Sequence, residues 1–150
     1  MATAKAAIAV PLTPEEAYDL WIDVSRWPTF IDGFGHAERL DDEWPDVGAK
    51  LVWRGVPGGR GTVTERVVKA DPPRAHATNV FEEKLDGTQT ASFAPVEDGT
   101  RVDLELEYNV SVGGPLRPIV DALFIRRAQN DALTRTLRRF ATEAAEEAEL

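Results

Sequence analysis

The stretch PLRPIVDALFIRRAQNDALTRTLRRFATEAAEEA, residues 115–148, decides the fold because its periodicity is that of one long helix. Steps of four and three residues place a stripe on one helical face that is apolar at both ends and polar in the middle. The stripe consists of Ile119, Leu123, Arg126, Asn130, Leu133, Leu137, Phe140 and Ala144. An isolated helix is marginally stable in water, so this one needs a partner surface over its apolar residues.

The polar middle of this stripe has two interpretations. In the first, Arg126 extends its side chain to the edge of the helix and Asn130 bonds to backbone, as polar groups beside a core usually do. In the second, the middle of the helix faces a cavity rather than a packed core. The sequence leaves both open.

The first part of the chain predicts one strand and two short helices. The strand covers residues 3–10, and a helix from Pro14 to about Ile22 follows, with Thr13 as its N-cap and Glu16 completing a capping box. A second short helix is expected to end at Trp27-Pro28, because proline disfavours helix in the residue before it.

Strands and turns then alternate up to the long helix. The alternation is clearest in the last strand, where even-numbered residues from Val102 to Val110 are apolar and odd-numbered ones are polar. Short turns between strands, such as the one at 85–87, imply antiparallel pairing. The predicted strands cover residues 36–40, 49–56, 61–70, 74–83, 88–96 and 101–110. We therefore predict a single α+β domain over residues 1–150, in which a curved antiparallel sheet wraps around the long C-terminal helix.

Composition excludes several classes of protein. The chain has no cysteine, which removes disulfides and cysteine-based metal or catalytic sites and fits a cytoplasmic location. Its net charge of −9 argues against binding nucleic acid. No apolar run is long enough to span a bilayer, so we expect no stable membrane insertion. The two histidines, His36 and His76, are too few for a metal site without other ligands, so no metal is predicted.

Arginines concentrate on the long helix, at Arg126, Arg127, Arg135, Arg138 and Arg139. They are interpreted either as a solvated helix face with ion pairs along the helix, for example Arg139 with Glu143, or as a basic patch that binds a partner.

Several segments resemble the START/Bet v 1-like (SRPBCC) superfamily, which has the helix-grip fold, and within it the polyketide cyclase/dehydratase-like branch. They are PEEAYDLW at 14–21, DVSRWPTF at 23–30, GAKLVW at 48–53, GTRV at 99–102, and the terminal helix. The order of elements is similar along nearly the whole chain. The resemblance implies a cavity between the sheet and the long helix that holds an apolar ligand.

Candidate residues for lining that cavity are mostly aromatic or polar. The candidate ligand-binding residues are Trp27, Phe30, Phe34, Trp53, Arg66, His76, Phe81, Tyr108, Leu123, Arg126 and Asn130. Core packing is the alternative for the aromatic residues, and Phe30 with Phe34 are interpreted as either a lid or a plug at the end of the sheet. Other polar residues that could point inward are Glu65, Asn79 and Gln89. No motif assigns a catalytic residue.

The leading functional hypothesis is binding of a small hydrophobic molecule, such as a lipid, a quinone or a polyketide, without a cofactor. A homodimer is compatible with it. The alternatives are a polyketide cyclase/dehydratase acting on a carrier-tethered poly-β-ketone, and a protein-interaction module like the toxin or co-chaperone relatives. An arginine or amide inside a dry cavity would favour the enzyme, because it can stabilise a developing oxyanion.

Overall fold

The computed structural model describes residues 2–110, 115, 119 and 124–150. Within these residues, seven strands form one antiparallel sheet with the order β1-β7-β6-β5-β4-β3-β2. The strands are β1 (Ala2–Val10), β2 (Phe34–Leu40), β3 (Lys50–Gly55), β4 (Thr62–Asp71), β5 (Ala75–Phe81), β6 (Leu85–Val96) and β7 (Gly99–Val110). The helices are α1 (Pro14–Ile22), α2 (Trp27–Phe30) and α3 (Arg126–Ala148), with a 3₁₀ turn at Val24–Arg26 between the first two.

The predicted fold class is confirmed. The inner faces of the strands and the apolar side of α3 share one core, in which Leu104 and Leu106 of β7 belong to the same buried cluster as Leu137 and Phe140 of α3. The long helix lies beside edge strand β1 and against α2. This is the helix-grip arrangement, with the sheet curved around the helix.

The helix α1 begins and ends at the predicted residues. The Thr13 side chain accepts a bond from the backbone of Glu16, and the Glu16 carboxylate accepts one from the backbone of Thr13, so the capping box is complete. The prediction for the next element is wrong in one respect. Pro28 lies in the first turn of α2 instead of ending a helix, a position where its missing N–H has no intrahelical partner to lose.

The stripe on α3 is confirmed in its C-terminal half, where Leu133, Leu137, Phe140 and Ala144 are buried. Its N-terminal half differs: Ile119 is 57% exposed, so the covered stripe does not extend to it. Leu123 lies outside the described residues, as does most of the predicted start of the helix.

The prediction of a turn at 85–87 is wrong, because all three residues lie inside β6, where Gly87 pairs with Tyr108 of β7. A Cβ at this position would come 2.2 Å from the carbonyl oxygen of Glu107. The glycine therefore marks a close approach of two strands rather than a turn. The turn itself precedes β6, where the backbone N–H of Glu82 donates to the carbonyl of Leu85.

Candidate functional site

A buried carboxyl group stands at the centre of the inner sheet face. Alternation along three neighbouring strands turns Trp53 of β3, Glu65 of β4 and Thr78 of β5 toward α3. The Trp53 indole Nε1 donates to Oε2 of Glu65 over 2.8 Å, and the Thr78 hydroxyl donates to Oε1 over 2.8 Å. Glu65 is only 4% exposed. These bonds stabilise a polar link across the sheet within an otherwise apolar surface.

Burial raises the pKa of the Glu65 carboxyl, and the hydrogen bonds from Trp53 and Thr78 only partly offset this. The positive charge of Arg60 lowers this pKa and the negative charge of Glu82 raises it. Arg60 and Glu82 are themselves joined, since Nε and Nη2 of the arginine donate to Oε2 of the glutamate over 2.9 and 2.6 Å. The Arg60 guanidinium also lies 4.9 Å from the centroid of the Trp53 ring.

Two small hollows meet at Glu65 and Gln89. The first, which we call the outer hollow, has a volume of about 30 Å³ and lies between the sheet and α3. The residues around it include Asp32, Trp53, Arg60, Leu106, Ala132 and Leu133. The second, the inner hollow, has a volume of about 10 Å³. Besides Glu65 and Gln89, its lining consists of Trp21, Trp27, Trp44, His76, Thr78 and Ala91. A pocket for a drug-sized ligand measures several hundred Å³. Both hollows are therefore much smaller than the cavity that the resemblance implies.

His76 closes the inner hollow and is 3% exposed. Its Nε2 lies 3.1 Å from the carbonyl oxygen of Pro45. Because a carbonyl can only accept, this bond requires the tautomer with the proton on Nε2. Burial lowers the pKa of the imidazole, and the bond to Pro45 raises it in part. The side chain is consequently a neutral donor that is already engaged.

Asp32, which follows α2, borders the outer hollow and is bound to α3. Its backbone N–H donates to the Thr136 hydroxyl over 2.9 Å. Its carboxylate accepts two bonds from Arg135, over 3.0 and 3.1 Å, and one from Arg139 over 3.2 Å. Burial alone would raise the pKa of Asp32, but the two arginines hold it below its usual value. The arginines of α3 thus tie the loop at Asp32 to the helix.

These contacts correct the predicted pairing of Arg139 with Glu143. Glu143 instead accepts a bond from Nη2 of Arg26 over 2.8 Å, and Glu147 accepts one from Nη1 of Arg26 over 3.2 Å. The helix surface is solvated as the first interpretation held, but its ion pairs run to neighbouring elements.

The structure brings several predicted site residues together in the interior. Trp27, Trp53 and His76 line the hollows. Phe34 is buried and its ring centroid lies 5.0 Å from that of Trp53. Phe30 is buried between Trp21 and Phe140, with centroids 5.6 and 5.1 Å away. Phe30 therefore packs as a plug at this end of the sheet, and Tyr108 is likewise fully buried.

Three other candidate ligand-binding residues do not face the interior, which corrects their proposed place in the site. Arg66 and Phe81 are exposed because each neighbours an inward residue, Glu65 and Val80, on a strand whose side chains alternate between faces. Arg126 is exposed at the start of α3.

Asn130 also has a role other than cavity lining. Its Oδ1 accepts a bond from the backbone N–H of Lys5 on edge strand β1, over 2.9 Å. This is the bond to backbone of the first interpretation, and it joins α3 to the sheet edge.

Glu65 and Gln89 are only general candidates at the level of sequence, and Asp32 and Arg60 are not predicted at all. One signal identifies Glu65. It alternates with Val63 and Val67, so it is one charged residue within a row that is otherwise apolar and buried. Asp32 and Arg60 gain their roles from loops that long-range packing brings together, which a local pattern does not report.

Within the residues that the structure describes, no group of three His, Cys, Asp or Glu side chains is arranged to hold a metal ion. None of the helices described is long and apolar enough to cross a membrane.

The profile of a family described as polyketide cyclase/dehydrase and lipid transport matches residues 1–145. No curated protein matches the chain. Among solved structures, the chain is similar to the di-domain ARO/CYC protein StfQ from the steffimycin biosynthetic pathway, with a TM-score of 0.75 and 15% identity over 99% of this chain and 52% of that one. It is also similar to TTHA0849 from Thermus thermophilus, with a TM-score of 0.72 and 17% identity over 95% of this chain and 97% of that one.

Norcoclaurine synthase from Thalictrum flavum, in complex with dopamine and hydroxybenzaldehyde, gives a TM-score of 0.70 and 13% identity over 95% of this chain and 85% of that one. At such identities the similarity to these structures concerns the fold alone.

Proposed function

Because the chain belongs to the polyketide cyclase/dehydrase and lipid transport family, within the START/Bet v 1-like superfamily, we propose that it binds a small, mainly apolar organic molecule between the sheet and α3. The observation that carries the proposal is the pair of hollows meeting at Glu65 and Gln89. A buried carboxyl group costs stability, so a sequence that serves only as a core has little reason to keep one beside unfilled space. A site that orients a ligand needs such a polar group within an apolar wall.

The ligand must displace side chains as it binds. A hollow of about 30 Å³ holds one or two water molecules. We place the mouth of the outer hollow between Asp32, Arg60 and α3, where side-chain ion pairs and one hydrogen bond are the polar contacts that join Asp32 to the helix among the described residues. Exposed ion pairs of this kind are worth little free energy, so opening here is inexpensive. The route of entry is accordingly between α3 and the loop at Asp32.

A blocking substitution tests this function. Ala132 lies on α3 at the outer hollow, whereas Ala128 is exposed one turn earlier. With the neutral fluorophore N-phenyl-1-naphthylamine as probe, Ala132→Trp is expected to weaken binding by about tenfold, which is about 1.4 kcal/mol. Ala128→Trp should bind as the unmodified protein does. Equal affinities for all three proteins, or no binding by any of them, would remove the proposed function.

A polyketide cyclase or dehydratase acting on a carrier-tethered chain is the second candidate. One observation favours it: the Glu65 carboxyl is buried beside the hollows and burial raises its pKa, and a carboxyl group with a raised pKa is suited to transfer protons in ring closure and loss of water. The interaction-module hypothesis and the homodimer stay predictions. Two of the arginines proposed for a basic patch, Arg135 and Arg139, are engaged by Asp32 instead.

A further inference from the structure

The outer face of the sheet, which points away from α3, carries an exposed aromatic side chain. Phe81 of β5 is 49% exposed, and its cross-strand partners are Thr64 of β4 and Asp86 of β6. Val52 of β3 pairs with Thr64 and adds a second apolar side chain, which is partly exposed, to the same row. Exposed aromatic residues of this kind are enriched at protein interfaces.

Charged residues of opposite sign lie on opposite sides of Phe81. In the neighbouring row, the successive partners across β7, β6, β5, β4 and β3 are Glu107, Thr88, Asn79, Arg66 and Lys50. This row is acidic at one end, uncharged in the middle and basic at the other end. Together with Asp86 on β6, it makes the side of Phe81 toward β7 acidic and the side toward β3 basic.

These charges have no partner within the chain. Asp86, Glu107, Arg66 and Lys50 are all exposed, and none of the four side chains forms an ion pair or a hydrogen bond among the residues that the structure describes. Strands lie about 4.8 Å apart, so Glu107 and Arg66 are separated by about 14 Å and do not meet in one molecule. Both signs of charge are therefore available to a second molecule.

A two-fold axis along β5, in the plane between two outer faces, lays β6 over the partner's β4 and β7 over the partner's β3. We propose that a second copy of this chain docks on this face, with Phe81 against the partner's Phe81. Asp86 then faces the partner's Arg66, and Glu107 faces the partner's Lys50. Each of these charge contacts occurs twice, because the same patch serves both copies. Sheets that pack face to face keep their strands within about 30° of each other, which fits this axis.

The charges also select this orientation over the other face-to-face arrangement. An axis across the strands would lay each strand over its own copy and bring Glu107 close to the partner's Glu107. Like charges placed opposite each other in this way disfavour an arrangement. The outer face is separated by the sheet from the two hollows, so the inference is independent of the proposed function.

The sizes of the side chains fit two convex faces. Because the sheet curves around α3, two outer faces diverge on both sides of the line along which they touch. Short side chains such as Ala77 and Thr88 lie near that line and allow close approach, whereas Arg66 and Lys50 lie farther out and are long enough to reach across. The Thr88 hydroxyl donates to Oδ1 of Asn79 over 3.0 Å, so this polar pair stays bonded when it is covered.

Paired charge reversals test the inference. The acidic variant carries Lys50→Glu with Arg66→Glu, and the basic variant carries Asp86→Lys with Glu107→Lys. Each variant alone places like charges opposite each other, so sedimentation velocity should show a dissociation constant for its dimer that is at least roughly tenfold higher than for the unmodified protein. A mixture of the two variants places only opposite charges in contact. We expect it to form a mixed dimer with twice the monomer mass of 16.5 kDa.

A control variant separates this surface from a general effect of net charge. Arg127→Glu with Arg138→Glu makes the same change in charge at exposed positions of α3 and should dimerise as the unmodified protein does. Salt tests the unmodified protein itself, which covers the case in which a variant does not fold. Raising NaCl from about 0.1 M to about 1 M shortens the screening length from about 10 Å to about 3 Å, so the dimer should weaken.

Three results would overturn the inference. The first is an unmodified protein that stays monomeric up to about 1 mM, where even a weak specific dimer would form. The second is a dimer that neither salt nor the charge reversals weaken, because it would use another surface. The third is a mixture of folded acidic and basic variants that forms no mixed dimer.

Discussion

The indole nitrogen of Trp53 donates to the carboxyl group of Glu65 over 2.8 Å, and both side chains are buried beneath α3. This bond joins β3 to β4 on the face that the helix covers, and Thr78 extends the link to β5. The polar link lies where the two hollows meet, so the interior is specified by hydrogen bonds as well as by apolar packing.

The bond from Thr78 should have a measurable effect on stability. Thr78→Val removes the donor and leaves one oxygen of Glu65 with one partner fewer, so the free energy of unfolding should fall by roughly 1–3 kcal/mol. Thr64→Val is the control, because Thr64 is on the opposite side of the sheet next to Glu65 in sequence. Denaturant unfolding of both variants measures the difference. An equal decrease in the free energy of unfolding for Thr78→Val and Thr64→Val would mean that the bond from Thr78 to Glu65 does not stabilise the fold.

The raised pKa of Glu65 predicts how stability depends on pH. The folded protein binds this proton more tightly than the unfolded chain, whose carboxyl has the ordinary value of 4.5. The stability contributed by the protonated group is therefore fully present below that value and falls as the pH rises toward the folded pKa. Glu65→Gln removes this dependence. Urea unfolding between about pH 5 and pH 8 should show the unmodified protein losing stability relative to the variant.

Asp32 is expected to change stability with pH in the opposite direction to Glu65, and it serves as a check on that measurement. Arg135 and Arg139 hold its pKa below the ordinary value of 3.8, so its contribution is present above that pH and is lost as the pH falls further. Parallel pH curves for the unmodified protein and Glu65→Gln above about pH 5 would contradict the account of Glu65, because Asp32 does not titrate in that range.

Asp32→Asn should loosen the mouth of the outer hollow. The substitution weakens the bonds to Arg135 and Arg139, whose side chains are about half exposed, so the free energy of unfolding should fall by no more than about 1 kcal/mol. Backbone amides at residues 31–33 should exchange with deuterium faster, because the loop is less firmly tied to α3. Asp71→Asn, at an exposed pair with Arg74 in a distant turn, is the control. Unchanged exchange at 31–33 would show that the carboxylate does not hold the loop.

Leu137 tests the packing of the helix against the sheet. It is 1% exposed on the inner side of α3, and Leu137→Ala should destabilise the protein by roughly 2–5 kcal/mol. Leu150→Ala, at a leucine that is 97% exposed, should be nearly neutral. A loss below about 1 kcal/mol for Leu137→Ala in a denaturant melt would mean that the stripe is loosely packed.

The fold can be predicted from the sequence more reliably than the candidate site can. Alternation fixes which face of a strand is inward, so Trp53 and Glu65 point to α3 while Arg66 and Phe81 point away. The periodic stripe of α3 correctly identifies Leu133 and Leu137.

Contacts between distant segments are harder to predict. The bond of Asn130 to Lys5 and that of Thr136 to Asp32 join residues more than one hundred positions apart. Short-range periodicity contains no information about which loop contacts which helix. The hydrogen-bond partner of a polar residue depends on these long-range contacts. The same limit explains why the stripe leaves two interpretations of Arg126 open, of which the structure agrees with the exposed one.

A small organic molecule is expected to bind beside Glu65, between the sheet and α3. Intermolecular NOEs between N-phenyl-1-naphthylamine and ¹³C-labelled methyl groups of the protein report where it binds. We expect NOEs to Val80, Leu106 and Leu133, which line the outer hollow. NOEs confined to exposed methyl groups such as those of Val68 and Val96 on the sheet, or the absence of any NOE, would contradict it.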